Sequence, residues 1–294
     1  MSGKLKEVRE RMKSVSSTQQ ITKAMKMVSA AKLRKAQDAI VRMRPYADKL
    51  NHMLRNVLSA VGSDVSISFG KEREIGHATV VVITSNRGLC GAFNTNIIKS
   101  AIREIESQYA VQRANKKLTV LCIGKRGYDF FRRNYKDCKL ITDYVTLFEN
   151  LNFDHTVIVP RLLMDMFTKG ETDHITVCYG RFKNAGTQFS EAVQFLPVPK
   201  IESGTRRRVD YIFEPEKDRL LNTLVPSILE VQFQKYLLDT HASEHGARMT
   251  AMDKATTNAD ELLNGLRINY NKARQEAITK ELSEIVGGAA ALGG

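Results

Sequence analysis

Cysteine is scarce in this chain of 294 residues: four, at positions 90, 122, 138 and 178, with no Cys-x-x-Cys pair. That spacing excludes a disulfide framework and predicts reduced thiols in a cytosolic compartment. Long apolar runs are missing as well. None approaches the roughly 18 residues of a transmembrane helix. The opening "MSGKLKEVRERMKS" has no apolar stretch for a secretory signal and too many acids for a transit peptide. These absences predict a soluble chain, one that can still rest against a membrane complex. Residues 4–44 contain neither proline nor glycine, so nothing there interrupts a helix.

What is present is positive charge. The formal net charge is +13. Residues 1–44 hold 12 Lys and Arg against 3 Asp and Glu, while residues 216–294 hold 9 against 11. The excess therefore sits in the first sixth of the chain and predicts a negatively charged partner.

Apolar residues in the first segment fall at Leu5, Val8, Met12 and Val15, then at Ile21, Met25 and Val28. Spacings of three and four predict a narrow seam on a helix from about Lys4 to Val61, which Pro45 can kink. The far end mirrors it. Met252, Ala259, Leu262, Leu263, Leu266, Tyr270, Ala273, Ala277, Ile278, Leu282 and Ile285 keep the same spacing, and "GGAAALGG" reads as a helix cap and tail. Between them the texture changes. Strand candidates are "ATVVVIT", "KLTVLCIG", "DHTVIVP" or "KLITDYV", "HITVCYGRF" and "EAVQFLPV". Helical patterns lie between them at 94–110, 126–134 and 160–168. Strands alternating with helices predict a largely parallel sheet. The predicted class is α/β, with two long terminal helices forming an antiparallel coiled coil and an inserted Rossmann-like α/β domain. The segments are 1–61, 77–200, a linker at 201–217, and 218–294.

"TSNRGLCGAFN" (84–94) is a glycine-rich turn from a strand into a helix. Gly88 and Gly91 stand three apart, which fits neither a dinucleotide fingerprint nor a phosphate loop with Gly-Lys-Ser/Thr. A nucleophilic Cys90 would need a histidine base. The remaining reading is geometric: two glycines shape the turn, and Asn94 or Thr95 caps the helix. "HASEH" (241–245) matches the inverted zincin pattern, with His241 and His245 one helical turn apart. No third ligand accompanies them, so they read as polar residues on a long helix. "GTRRR" (204–208) is either a phosphate or lipid-headgroup site or a solvated basic loop. Lys23, Lys26, Lys32, Arg34 and Lys35 could grip nucleic acid, but no aromatics are interleaved there, and the apolar stripe beside them wants a cover. An acidic protein sleeve satisfies both charge and stripe.

Three stretches together carry a resemblance. "SVSSTQQITKAMKMVSAAKLRKAQ" (14–37), "SNRGLCGAFN" and "ASEHGARM" with "NYNKARQEAITKELSEIVGGAAAL" resemble the gamma subunit of the F-type rotary ATP synthase, bacterial type, along the whole chain. The family usually has Asp where Asn86 stands. The resemblance implies a central-stalk rotor with no catalytic residue, cofactor or metal of its own. It would couple proton-driven rotation of a membrane c ring to the conformational cycle of catalytic beta subunits that make ATP from ADP and phosphate. The implied partners are three alpha and three beta subunits, the epsilon subunit and the c ring, and no nucleic acid. The implied location is peripheral, on the cytoplasmic side of the cell inner membrane. By likeness, the positions facing the beta subunits are Met25, Arg248, Gln275, Thr279 and Glu281. Asp210, Tyr211 and Glu214, in "VDYIFEP", would lie near the c ring and epsilon. Two rival readings make different predictions: a Rossmann-like enzyme would bind nucleotide by itself, and a nucleic-acid binder would show salt-dependent affinity from residues 1–44.

Overall fold

A computed structural model describes residues 3–61, 69–70, 73–198 and 217–292. The elements are α1 (Gly3–Val61), β1 (Ala78–Ile83), α2 (Phe93–Gln108), α3 (Ala110–Ala114), β2 (Leu118–Ile123), α4 (Lys125–Asn134), β3 (Lys139–Ile141), α5 (Phe153–Thr156), α6 (Ile158–Thr168), β4 (His174–Phe182), β5 (Gln188–Leu196) and α7 (Lys217–Leu292). The chain divides into two compact units. One is Met1–Ser29 with Met249–Gly294, the other Ala30–Arg248.

In the first unit the two chain ends pair antiparallel. Gln19 Nε2 donates to Asp260 Oδ1, the Thr22 and Thr256 hydroxyls meet at 2.8 Å, and Lys26 Nζ reaches Asp253 Oδ1 at 2.5 Å. Numbers rise on α1 as they fall on α7, the signature of opposed helices. The seam on α1 reads Leu5, Val8, Met12, Val15, Gln19, Thr22, Lys26, Ser29, all buried or half-buried. It is an unbroken three-four heptad. This corrects the apolar stripe: Ile21 and Val28 are 59% and 56% exposed, and the seam continues through polar residues. On α7 the buried positions are Met252, Ala259, Leu263, Leu266 and Ala273, while Leu262, Ile278, Leu282 and Ile285 lie outside. The helix period, not residue polarity, decides which face is covered.

The second unit is built on a five-stranded sheet of order β3-β2-β1-β4-β5. The first four strands are parallel and β5 runs antiparallel to β4. Every residue of β1, "ATVVVI", is buried, as a strand covered on both faces must be. Val80, Val82, Val120 and Cys122 face α2 and α4, packing with Ile97, Ala101, Ile105 and Phe131. Val81, Ile83, Leu121 and Ile123 face α6 and the first part of α7, among Leu163, Phe167, Leu229, Phe233 and Leu237. Helices on both faces make this a doubly wound sheet.

Three local expectations change. "KLITDYV" supplies β3, whereas "DHTVIVP" is helical, divided between α5 and α6. Its β-branched residues suggest a strand, but Val159, Leu163, Met166 and Phe167 recur at helical spacing and are buried. Pro160 sits in the first turn of α6, where a missing N–H costs no helical bond. At the other end α7 does not stop at Gly287 but runs to Leu292. Finally, α2 begins at Phe93 with Ala92 at its cap and no side-chain capping bond. Asn94 is used elsewhere.

Candidate functional site

The turn between β1 and α2 is held by its own side chains. Ser85 N donates to Asn94 Oδ1 at 2.9 Å, and Ser85 Oγ donates to the Arg87 carbonyl at 2.6 Å. Asn94 Nδ2 donates to Cys90 Sγ at 3.1 Å. Asn94 therefore ties the strand end to the helix start instead of capping the helix. Gly91 takes φ +59°, and Leu89 takes φ +62° with its side chain 65% exposed. Cys90 is 2% exposed, and its polar neighbours are Asn94, Ser85 and the Arg87 carbonyl. No base stands among them, so it is a packed thiol.

The neighbouring helix start is also spent. Lys125 N donates to Asn86 Oδ1 at 3.1 Å, Arg126 N to the Ser85 carbonyl at 3.1 Å, and Gly127 N to Thr84 Oγ1 at 2.8 Å. With those three donors taken, the first turn of α4 cannot cradle a phosphate.

In a doubly wound sheet the ligand crevice lies where strand order reverses, here between the carboxyl ends of β1 and β4. That place is filled by α7. The Arg248 guanidinium donates to the carbonyls of Arg87 at 3.1 Å and Gly88 at 3.3 Å, and to Glu244 Oε1 at 2.7 Å. Both side chains of the ion pair are under a tenth exposed. Burial pushes the Glu244 carboxyl up, and Arg248 pulls it back.

The "HASEH" histidines belong to the same cluster, and they are packed and not solvated on a helix face. Arg248 Nη1 lies 3.3 Å from His245 Nδ1. A guanidinium only donates, so His245 Nδ1 accepts and its proton sits on Nε2. That Nε2 lies 3.2 Å from His241 Nε2, which accepts in turn. His241 stacks on Phe148 with ring centroids 6.1 Å apart. Burial, reinforced by Lys32, Arg248 and Lys35, pushes His241 down to about 4. Burial, His241, Arg248 and Lys32 push His245 to about 3. Coordination through His245 Nε2 would leave Nδ1–H facing the Arg248 N–H. Among the described residues, no three His, Cys, Asp or Glu side chains gather as metal ligands.

The positions assigned by resemblance do not converge. Met25 is half-buried on α1; Gln275, Thr279 and Glu281 are exposed on α7; Arg248 is 7% exposed. Met25 lies level with the Asp253–Thr256 turn, about six helical turns, or roughly 30 Å, from Gln275. They form separate bands. Asp210, Tyr211 and Glu214, and the basic run 204–208, lie outside the described residues. Sequence reading missed Gln19, Thr22 and Ser29 as seam residues; an uninterrupted heptad count from Leu5 finds them. No signal in the sequence marks Arg248 as a ligand of the β1–α2 turn. Among the described residues, no helix is long and apolar enough to cross a membrane.

A doubly wound α/β domain whose ligand crevice is filled by its own helix, inserted in sequence between two long terminal helices whose ends pair, has the architecture of a stalk subunit. A family profile described as ATP synthase matches residues 4–292. The chain belongs to the family of ATP synthase gamma chains. It is 52% identical over 291 residues to the ATP synthase gamma chain of Flavobacterium psychrophilum, covering 99% of each chain. To that of Cytophaga hutchinsonii it is 49% identical over 292 residues, covering 98% of each. Among solved structures, a chain of the Tetrahymena thermophila mitochondrial ATP synthase central stalk and c ring matches 80% of this chain and 99% of its own. It does so at 26% identity and TM-score 0.56. A chain of the Euglena gracilis mitochondrial ATP synthase shares the fold at TM-score 0.67 and 21% identity, covering 99% and 95%.

Proposed function

We propose that this chain is the central-stalk rotor of a bacterial F-type ATP synthase. It performs no bond-making itself. It couples ion-driven rotation of the membrane c ring to the cycle of three catalytic beta subunits, alternating with three alpha subunits, and meets epsilon at its base. The complex is peripheral to the cell membrane on the cytoplasmic side. Residues 1–61 and 218–294 supply the shaft, 77–200 the foot, and 201–217 the link between them.

One observation supports this reading above the others: the paired ends bury a partly polar seam and turn apolar side chains outward. Ile21, Met27 and Val28 on α1, and Ile268, Leu282, Ile285 and Val286 on α7, are each more than half exposed. A lone soluble coil would reverse that pattern. A shaft turning inside a protein sleeve needs an outer face that is covered yet not locked. Exposed cations beside it, Lys23, Arg34 and Lys35, add attractions worth only about 0.2–1 kcal/mol each, small enough to be exchanged between equivalent partners. On the resemblance alone, we assign Met25, Gln275, Thr279 and Glu281 to contacts with beta. Arg248 can offer only the small part of its side chain that its internal partners leave open.

The test is co-expression with the alpha and beta subunits of a related bacterial enzyme. The expected product is a three-three-one complex with ATPase activity. Failure of the chain to co-purify with them would overturn the proposal.

A further inference from the structure

β1 stops pairing with β4 at Val82 and Cys178, one pleat short of Gly180. From that level on, α7 takes the place of β1. Gly180 N donates to Thr240 Oγ1 at 3.2 Å, and Ser243 Oγ donates to the Gly180 carbonyl at 3.0 Å. Thr240 and Ser243 are three apart on one helix face, and both are fully buried. One residue's donor and acceptor are thus both satisfied by one helix. The approach is close. A Cβ on Gly180 would stand 2.7 Å from Phe93 Cε2 and 3.4 Å from Ser243 Cβ. Tyr236 packs on Tyr179 one turn earlier, at 4.5 Å between ring centroids. One turn later Arg248 holds the carbonyls of Arg87 and Gly88.

Apolar packing alone lets a helix slide or roll on a sheet, because it is not directional. Paired hydrogen bonds to the N–H and C=O of a single buried residue are directional, and a shifted helix would leave two buried polar groups unpaired. Such a contact fixes both the rotation and the register of α7 on the sheet. Packing that holds only the fold together does not require both.

We propose that Thr240 and Ser243, closed on Gly180, form the clasp through which α7 and the α/β domain exchange torque. This rests on the rotor reading above. Thr240 and Ser243 are positioning residues: they touch no substrate, and they hold the shaft helix at a fixed angle on the foot. The bland alternative is that the two hydroxyls only satisfy Gly180 and add to stability. The two differ under load. A clasp that sets angular stiffness matters when rotation works against an ion gradient and matters little when the head turns freely.

The experiment reconstitutes the full complex in vesicles with the wild-type chain, with Thr240→Val plus Ser243→Ala, and with the hydroxyl-keeping Thr240→Ser. Unloaded ATP hydrolysis and gradient-driven ATP synthesis are measured on each. Amide exchange at Gly180 is followed in the free full-length chain. The expected result is that the double variant hydrolyses ATP near the wild-type rate while its synthesis falls several-fold and Gly180 exchange accelerates. Thr240→Ser should behave as wild type. A wild-type complex that works while the double variant matches it in synthesis overturns the clasp and leaves the rotor reading intact. So does a parallel loss of hydrolysis and synthesis, which marks a purely structural role. If the double variant does not assemble, unprotected Gly180 exchange in the wild-type chain overturns the clasp, and protected exchange with a load-specific defect in Thr240→Val alone supports it. A wild-type chain that joins no complex overturns the rotor reading and this inference with it.

Discussion

Arg248 Nη2 lies 2.7 Å from Glu244 Oε1, one helical turn apart, with both side chains removed from water. The guanidinium also holds two carbonyls of the β1–α2 turn, so it is a cross-brace as well as half of an ion pair. Removing the carboxylate leaves a cation in a dry site. Glu244→Ala should cost about 3 kcal/mol, the lower end for breaking a buried pair, because the carbonyls still solvate Arg248. Glu244→Gln keeps an acceptor oxygen and should cost less. Urea unfolding of the full-length chain at neutral pH checks both values, and equal costs would refute the ionic part of the argument.

The His241–His245 pair makes stability depend on pH. Both rings are held neutral, with values pushed from 6.5 to about 4 and about 3. Above pH 6.5 folded and unfolded chains are alike in charge at these rings, and their contribution is fully present. Below it the unfolded chain takes up protons that the folded chain refuses, so stability falls as pH drops toward 4. The slope is at most about 1.4 kcal/mol per pH unit for each ring. The cations facing the pair, Lys32 and Lys35 from α1 and Arg248 from α7, all push the same way. His245→Gln should flatten the fall between pH 6.5 and 4 in denaturant titrations. An unchanged slope would show that the acid sensitivity lies elsewhere.

Two glycines at the β2–α4 junction should respond very differently. At Gly124, φ is +93° and a Cβ would stand 2.0 Å from the Thr84 carbonyl oxygen. Backbone cannot step aside, so Gly124→Ala should cost at least about 3 kcal/mol or prevent folding. At Gly127 the nearest atom is the Thr84 hydroxyl at 2.9 Å. A side chain can give a little, and Gly127→Ala should cost about 1–3 kcal/mol. Thermal melts of the two variants test the order, and the reverse order would contradict the geometry.

These cases show what sequence carries and what it does not. The two long helices and the parallel sheet are legible because periodicity is local: β1 is apolar except for Thr79, and residues 4–44 lack any helix breaker. "DHTVIVP" misleads because its β-branched composition is also local, while the burial that makes it helical is not. Ile21 and Val28 mislead in the opposite way, since apolar character suggests burial and the helix period places them outside. The paired histidines carry a metal motif in sequence, yet their tautomers are set by an arginine three residues after His245, itself held by a turn 160 residues before that arginine. Nothing along the chain announces that partnership. The resemblance located Arg248 but not its internal partners, which only the packing of α7 on the sheet reveals.

The band around Met25 is where charge should act on coupling and not on folding. Met25 is half-buried, next to Lys26, which already pairs with Asp253. That surface pair is about half exposed and should be worth under about 1 kcal/mol. A second cation at 25 finds no carboxylate of its own in α7 at that level, because Asp253 is taken. Under the proposed rotor function, it is left to seek one on the beta subunits around the shaft. In a sleeve that excludes water, a charge-assisted hydrogen bond can be worth about 1.5–3 kcal/mol. A rotor bound that much more tightly at one stop must climb out of it, and each 1.4 kcal/mol or so slows the step about tenfold. Met25→Lys should therefore lower ATP synthesis more than ATP hydrolysis in reconstituted complexes, and high salt should not rescue it if the bond is desolvated. Met25→Leu, which keeps the volume without the charge, should leave the ratio of synthesis to hydrolysis at the wild-type value. If Met25→Lys also leaves that ratio unchanged, Met25 does not face an acidic partner.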